Sequence, residues 1–379
     1  MRYLIVSMIF ASLVSICCTQ QESSGSTEPV VYETEFAKLL DSLRVLYDFP
    51  ALAGAIITSD SIIEAKAVGC RKYGGSANVT DNDLFHIGSN SKAFTATLIG
   101  ILIDNGLLEW ESTLVELFPE LTSIIREEYR NVTIINLLSH TSGLMANTTV
   151  FPTLGTVIDQ RYEVVEFAVQ SEPAVQKGDY LYSNLGYIIA GAVIEKLLNR
   201  SYEELIIEMV AQPLGITTMG FGSMGTPGME DQPLQHIVNN STHTVIEPSQ
   251  FSDNPPIYSP AGRIHLSIGD WAKFIKASLA AEEGEPSLLN PETSAKLTDS
   301  FARIEEGTYY GLGWVIVQRD WADGKAITHA GSNTMNYSVA WMAPNKDFAI
   351  LAATNQAGDD TYFKMDQVAA RLIEFYLYR

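Results

Sequence analysis

After residue 308 the apolar pattern of this chain changes period, and that change restricts the fold more than any other feature. Residues 311–318, 326–329, 336–343 and 348–354 are short apolar stretches bounded by turn residues, and each is predicted as a strand. Pro344-Asn345-Lys346-Asp347 turns between the last two. Connections this short cannot carry a parallel crossover, so the strands must form an antiparallel meander. At the other end of the chain, residues 51–58 and 61–69 read as two more strands joined at Ser59-Asp60.

Helical periodicity fills the rest. Phe36, Leu39, Leu40, Leu43 and Leu46 mark a first helix ended by Pro50. Met365, Val368, Leu372 and Phe375 mark a last one. Residues 84–106 hold an apolar helix closed by Asn105-Gly106, and 107–255 are helical with Gly- and Pro-rich loops. Gly186 to Leu198 is one clear apolar helix, whereas Gly220 to Pro256 reads as a loop. Another helix starts at Ser267, with Asp270 placed to complete a capping box and Trp271, Phe274, Ile275 and Leu279 on its buried face. The expected fold is therefore α+β, an antiparallel sheet flanked by helices plus an inserted all-helical lobe. The sheet-bearing part covers about 34–106 and 257–379, and the helical insertion about 107–256. A cleft between the two parts is the natural ligand site.

Of 379 residues, 46% are hydrophobic, enough for a large core. The formal charge of −21 argues against nucleic acid and anionic membranes as partners, because phosphates would be repelled. Arg2 precedes an uncharged, mostly apolar stretch from Tyr3 to Cys18, and a polar stretch follows. This predicts a signal peptide over 1–18, a polar tether over 19–33 and an exported protein over 34–379. Cys17 or Cys18 is a candidate lipid anchor, and simple cleavage is the equal alternative. Cys70 is then the sole remaining thiol, which leaves no internal disulfide.

Three short motifs carry chemistry. Ser89 and Lys92 open the apolar helix in Phe85-His86-Ile87-Gly88-Ser89-Asn90-Ser91-Lys92. Residues three apart share a helix face, so the amine reaches the hydroxyl. Ser89 near a helix N-terminus favours developing negative charge, and a lysine in a dry pocket can lose its proton and serve as base. In Tyr182-Ser183-Asn184, a phenol beside the lysine can relay protons, and an amide can hold both lysine and substrate carbonyl. His329-Ala330-Gly331-Ser332 ends a strand. Gly331 lets a ligand approach the backbone, and the Ser332 N–H is placed to pair with the Ser89 N–H as a two-donor oxyanion hole. His329 would add polarity or positive charge there. His86-Ile87-Gly88 has a similar form but leads directly into Ser89, and His140 reads as a structural residue holding its loop. No Gly-x-Ser-x-Gly elbow, His-Glu-x-x-His zinc helix or P-loop occurs, and the six histidines lack ligand spacing, so no cofactor or metal is expected.

In this order, Ser-x-x-Lys, Tyr-x-Asn and His-x-Gly resemble the class C-like branch of the serine β-lactamase and DD-peptidase superfamily. Leu137-Leu138-Ser139-His140-Thr141-Ser142-Gly143-Leu144, Ser259-Pro260-Ala261-Gly262 and Tyr310-Gly311-Leu312-Gly313-Trp314 support the likeness, which runs from about residue 36 to the C-terminus. The resemblance implies a sheet of five to seven antiparallel strands and a serine hydrolase acting on a small-molecule or peptide substrate through a Ser89 acyl-enzyme. Class C β-lactamases carry lysine in the third motif, whereas His329 is similar to the peptidase and aminopeptidase members. DD-peptidase, D-aminopeptidase or esterase activity is therefore expected. A true class C-like β-lactamase and a catalytically silent penicillin-binding or scaffolding member are the alternatives.

Overall fold

The computed structural model describes residues 33–285 and 287–378. The predicted signal peptide, Cys17, Cys18 and nearly all of the tether lie outside the described residues. An antiparallel sheet of eight strands runs in the order Ile62–Gly69, Ala51–Ile57, Phe348–Thr354, Tyr337–Ala343, Gly324–Ser332, Val315–Arg319, Thr308–Tyr310 and Ala302–Glu305. The late strands form the expected meander. The sheet exceeds the expected strand number because a short hairpin, Ala302–Glu305 with Thr308–Tyr310, extends one edge. Strands of three and four residues are too short to show a period.

Strand alternation sorts the sheet's residues into two cores. On Ala51–Ile57, Ala53, Ala55 and Ile57 face one core and Leu52 and Ile56 the other. On Phe348–Thr354, Ala349, Leu351 and Ala353 join the first, and Phe348, Ile350 and Ala352 the second. Both faces are thus covered, which is why these central strands read as unbroken apolar runs. The terminal helices Glu35–Tyr47 and Thr361–Leu377 cover the second face with Phe36, Leu40, Met365, Val368 and Leu372. The helix Ile268–Glu282 covers the first. The molecule is α+β.

Ser267 does cap that helix, accepting from the Asp270 N–H at 3.2 Å. The Asp270 carboxylate does not complete a box. It accepts instead from Thr217 N at 2.7 Å, Thr218 N at 2.8 Å and the Thr218 hydroxyl at 2.7 Å. Helices dominate residues 107–219, among them Val157–Gln170 and Asn184–Leu198. The stretch expected as a loop holds a hairpin, Gln235–Asn239 with Thr242–Ile246. Asn240 and Ser241 turn it with φ of 48° and 60°, the left-handed pair a two-residue hairpin turn needs. Gln235–Asn239 also pairs in parallel with Gln356–Gly358. Among the described residues, no helix is long and apolar enough to cross a membrane.

Candidate active site

Ser89 lies in a single tight turn, Gly88–Asn90, between the strand Leu84–His86 and the helix Ser91–Asp104. Polar side chains fix this turn. Gly88 adopts φ 51°, and its N–H donates to His86 Nδ1 at 3.1 Å. The Ser91 hydroxyl donates to Gly88 O at 2.7 Å, and the Ser338 hydroxyl donates to Ile87 O at 2.8 Å. The helix is buried continuously from Ser91 to Leu102, so its second residue, Lys92, has no exposed surface.

Lys92 Nζ sits 3.1 Å from Ser89 Oγ, 2.8 Å from Asn184 Oδ1 and 2.7 Å from Ala261 O. Burial drives its pKa well below the ordinary lysine value, and no carboxylate opposes that shift. A neutral amine has two N–H groups and one lone pair. The two carbonyl oxygens use the N–H groups, which leaves the lone pair for the Ser89 hydroxyl.

Tyr182 is half-buried, with its ring centroid 4.8 Å from Lys92 Nζ and its phenol interacting with the Ser89 side chain. Burial raises its pKa above the usual tyrosine value, so it stays a neutral phenol. Asn184 begins a helix capped by Ser183, whose hydroxyl accepts from Gly186 N at 3.1 Å. Its carboxamide spans the site, with Oδ1 on Lys92 and Nδ2 donating to Asn147 Oδ1 at 2.9 Å.

The end of Gly324–Ser332 runs against the nucleophile turn. A Cβ on Gly331 would lie 2.6 Å from Ser89 N and 3.0 Å from Asn90 N, so only glycine allows this approach. Ser89 and Ser332 both line a cleft of about 400 Å³. Asn147, Phe151, Asn184 and Asn254 line it too, with Pro255, Tyr258, Ala261 and Gly262.

His329 departs from the expectation of polarity or positive charge in the cleft. It is 4% exposed and is not among the cleft's lining residues. Its Nδ1 is 2.7 Å from Ala330 O and so carries the proton, while Nε2 accepts from the Tyr310 hydroxyl at 2.9 Å. Burial, aided by Lys92, pushes its pKa down to about 3, so the ring is neutral.

Some contributors escaped the sequence reading. Asp253, in the stretch read as a loop, accepts from His86 Nε2 at 3.0 Å and from Asn333 Nδ2 at 3.0 Å. Its Oδ2 also lies 3.5 Å from Arg263 Nε. Burial alone would raise its carboxyl, but His86 and Arg263 outweigh that and hold it below the ordinary value. One buried carboxylate thus ties together the turns bearing Ser89 and Ser332. His140 Nδ1 accepts from Ser183 N at 3.0 Å, and its ring centroid is 4.3 Å from that of Tyr182. It holds the second motif as well as its own loop.

A family model described as Beta-lactamase matches residues 36–375. The chain is 26% identical to penicillin-binding protein 4 of Amycolatopsis lactamdurans, over 85% of each chain. It is 23% identical to a putative D-alanyl-D-alanine carboxypeptidase of Escherichia coli, over 81% of this chain and 80% of that one. An unguisins hydrolase of Aspergillus campestris is 24% identical over 91% of this chain, which spans 65% of that protein's length. Among solved structures, the octameric penicillin-binding protein homologue from Pyrococcus abyssi superposes with a TM-score of 0.72 at 23% identity, covering 89% of this chain and 78% of that one. A family match over nearly the whole chain, on this fold, leaves one assignment: the chain belongs to the beta-lactamase family.

Proposed function

We propose that this protein is a serine hydrolase that cleaves an amide or ester bond through an acyl-enzyme on Ser89. The carrying observation is the fully buried Lys92 amine, 3.1 Å from Ser89 Oγ. In the first step the Lys92 lone pair takes the hydroxyl proton and Ser89 Oγ bonds to the substrate carbonyl carbon. The N–H groups of Ser89 and Ser332 hold the resulting oxyanion. Collapse breaks the bond to the leaving amine or alcohol, which receives the proton back from Lys92 through the Tyr182 phenol. Water then adds to the acyl-enzyme, gives its proton to the same pair, and releases the carboxylic acid with Ser89 restored. Asn184 orients Lys92 and the substrate carbonyl throughout.

The reading favours the DD-peptidase, D-aminopeptidase and esterase side of the family, and export with cleavage or lipidation near Cys17 and Cys18 belongs to it. The relatives named as a carboxypeptidase and as a hydrolase support hydrolysis in general. Reaction of the folded protein with a fluorophosphonate, followed by peptide mass spectrometry, tests it. Ser89 should carry the label, and Ser89→Ala should abolish both labelling and turnover. An unlabelled Ser89 in folded protein would replace this reading with a silent binding member.

A further inference from the structure

Among the described residues, none that lines the cleft around Ser89 carries an ionic side chain. The cleft is lined by the carboxamides of Asn147, Asn184 and Asn254 and by the rings of Phe151 and Tyr258. The groups that would receive an anion are already committed. The Ser332 hydroxyl donates to Asn336 O at 2.7 Å and accepts from Thr334 N at 2.9 Å. Both ring nitrogens of His329 are engaged, by Ala330 O and the Tyr310 hydroxyl. Arg263, next to the lining residue Gly262, lies against Asp253, and its Nη1 donates to Ser259 Oγ at 3.3 Å. Lys92 spends its N–H groups on Asn184 and Ala261.

A carboxylate placed here would lose its water and gain amide N–H donors but no cation to offset its charge. The chain's net charge of −21 also repels anions before they dock. Carboxamides, by contrast, donate to and accept from neutral amide and ester groups equally well. Phe151, 53% exposed at the cleft, offers an open ring face to an apolar substituent.

We propose that the substrate is an uncharged acyl donor, an ester or an internal or end-capped amide with no carboxylate beside the scissile bond. This rests on the acyl-enzyme reading and narrows it to its esterase and neutral-amide side: DD-peptidase substrates, with a carboxylate beside the scissile bond, D-aminopeptidase substrates, with an α-ammonium there, and β-lactam acids are all set apart as poor substrates. The three asparagines bracket the neutral chain on either side of the carbonyl, and Phe151 with Tyr258 takes its apolar side group.

A matched pair of thioesters tests it. One has thioglycolate as leaving group, and the other has the methyl ester of thioglycolate on the same N-acylglycyl donor. Thiol release is followed for both, and each rate is divided by that compound's uncatalysed rate. The neutral member should show a kcat/KM at least about tenfold higher, most of it in KM, as expected where a site leaves a charge unpaired. Asn254→Lys should shrink or reverse that preference. Equal rates, or a preference for the free acid, overturn the proposal. So does failure of both thioesters to acylate Ser89 while a fluorophosphonate still labels it. Failure of the fluorophosphonate itself would instead bring down the acyl-enzyme reading.

Discussion

Asn184 Oδ1 accepts from Lys92 Nζ at 2.8 Å and gives that amine a neutral partner where an ion pair would otherwise form. A carboxylate at position 184 would hold the proton on Lys92, and the carboxamide does not. The pH dependence follows from this. Ser89 gives its proton only to an unprotonated Lys92, so acylation should rise with pH through the Lys92 pKa and then level off. Because burial lowers that pKa, the rise should be complete well below the ordinary lysine value of 10.5. Tyr182, raised by burial, adds no alkaline fall below its ordinary 10.0. Asn184→Asp should move the rise to higher pH. Pre-steady-state acylation across pH 5 to about 10 measures both effects.

Gly331→Ala should damage catalysis more than its single methyl suggests. The new carbon would meet Ser89 N and Asn90 N and push the two oxyanion donors apart. Loss of one donor lowers kcat by about 10²–10³-fold. The check is kcat/KM beside a thermal melt, since a folded protein with this loss separates geometry from stability.

Asp253→Ala should destabilise the fold and the site together. It leaves His86 without its acceptor and Arg263 and Asn333 short of one, all deep in the protein. Breaking a buried ion pair from one side costs about 3–5 kcal/mol. Urea unfolding reads that loss, and Ser89 labelling rates read the loosened nucleophile turn.

Acid should unfold the protein earlier than its acidic composition alone suggests. His329 is pushed down to about 3 by burial, His236 and His265 to about 4, and His140 well below the ordinary value. Unfolded, these rings bind protons from about pH 6.5 downward, but folded they do not. Stability is therefore full above about 6.5 and falls as pH drops toward 4, by about 1.4 kcal/mol per pH unit for each such histidine. Urea midpoints at pH 7.5 and 5 should differ accordingly, and an unchanged midpoint would refute the buried neutral state.

The parts of the site that were legible in the sequence are those set by local spacing. Ser89 with Lys92, and Tyr182 with Asn184, stand at separations that one helix turn or one extended step places side by side. The sheet was legible through its period, since Phe348–Thr354 emerges with the bounds its apolar run gave. Asn254, Tyr258 and Asp253 were not, because they reach Ser89 across more than 160 residues from a segment with no period. The Gln235–Asn239 hairpin carried a readable cue in Asn240-Ser241, but the Gly- and Pro-rich surroundings masked it. The sequence around His329 discloses its chemistry but not its orientation. Its orientation depends on Tyr310, which pairs with Ala302 at the sheet edge, and no local pattern encodes that.

The segment that leads into the cleft residues Asn254 and Pro255 is anchored at both ends. The Gln235–Asn239 strand is bound in parallel to Gln356–Gly358, and the Asp253 carboxylate is fastened to the turns on either side of the nucleophile. A segment pinned in this way delivers Asn254 and Pro255 to the rim from a fixed point. Changes of preference should therefore be sought first in single substitutions along that rim, at Asn254 and its neighbours.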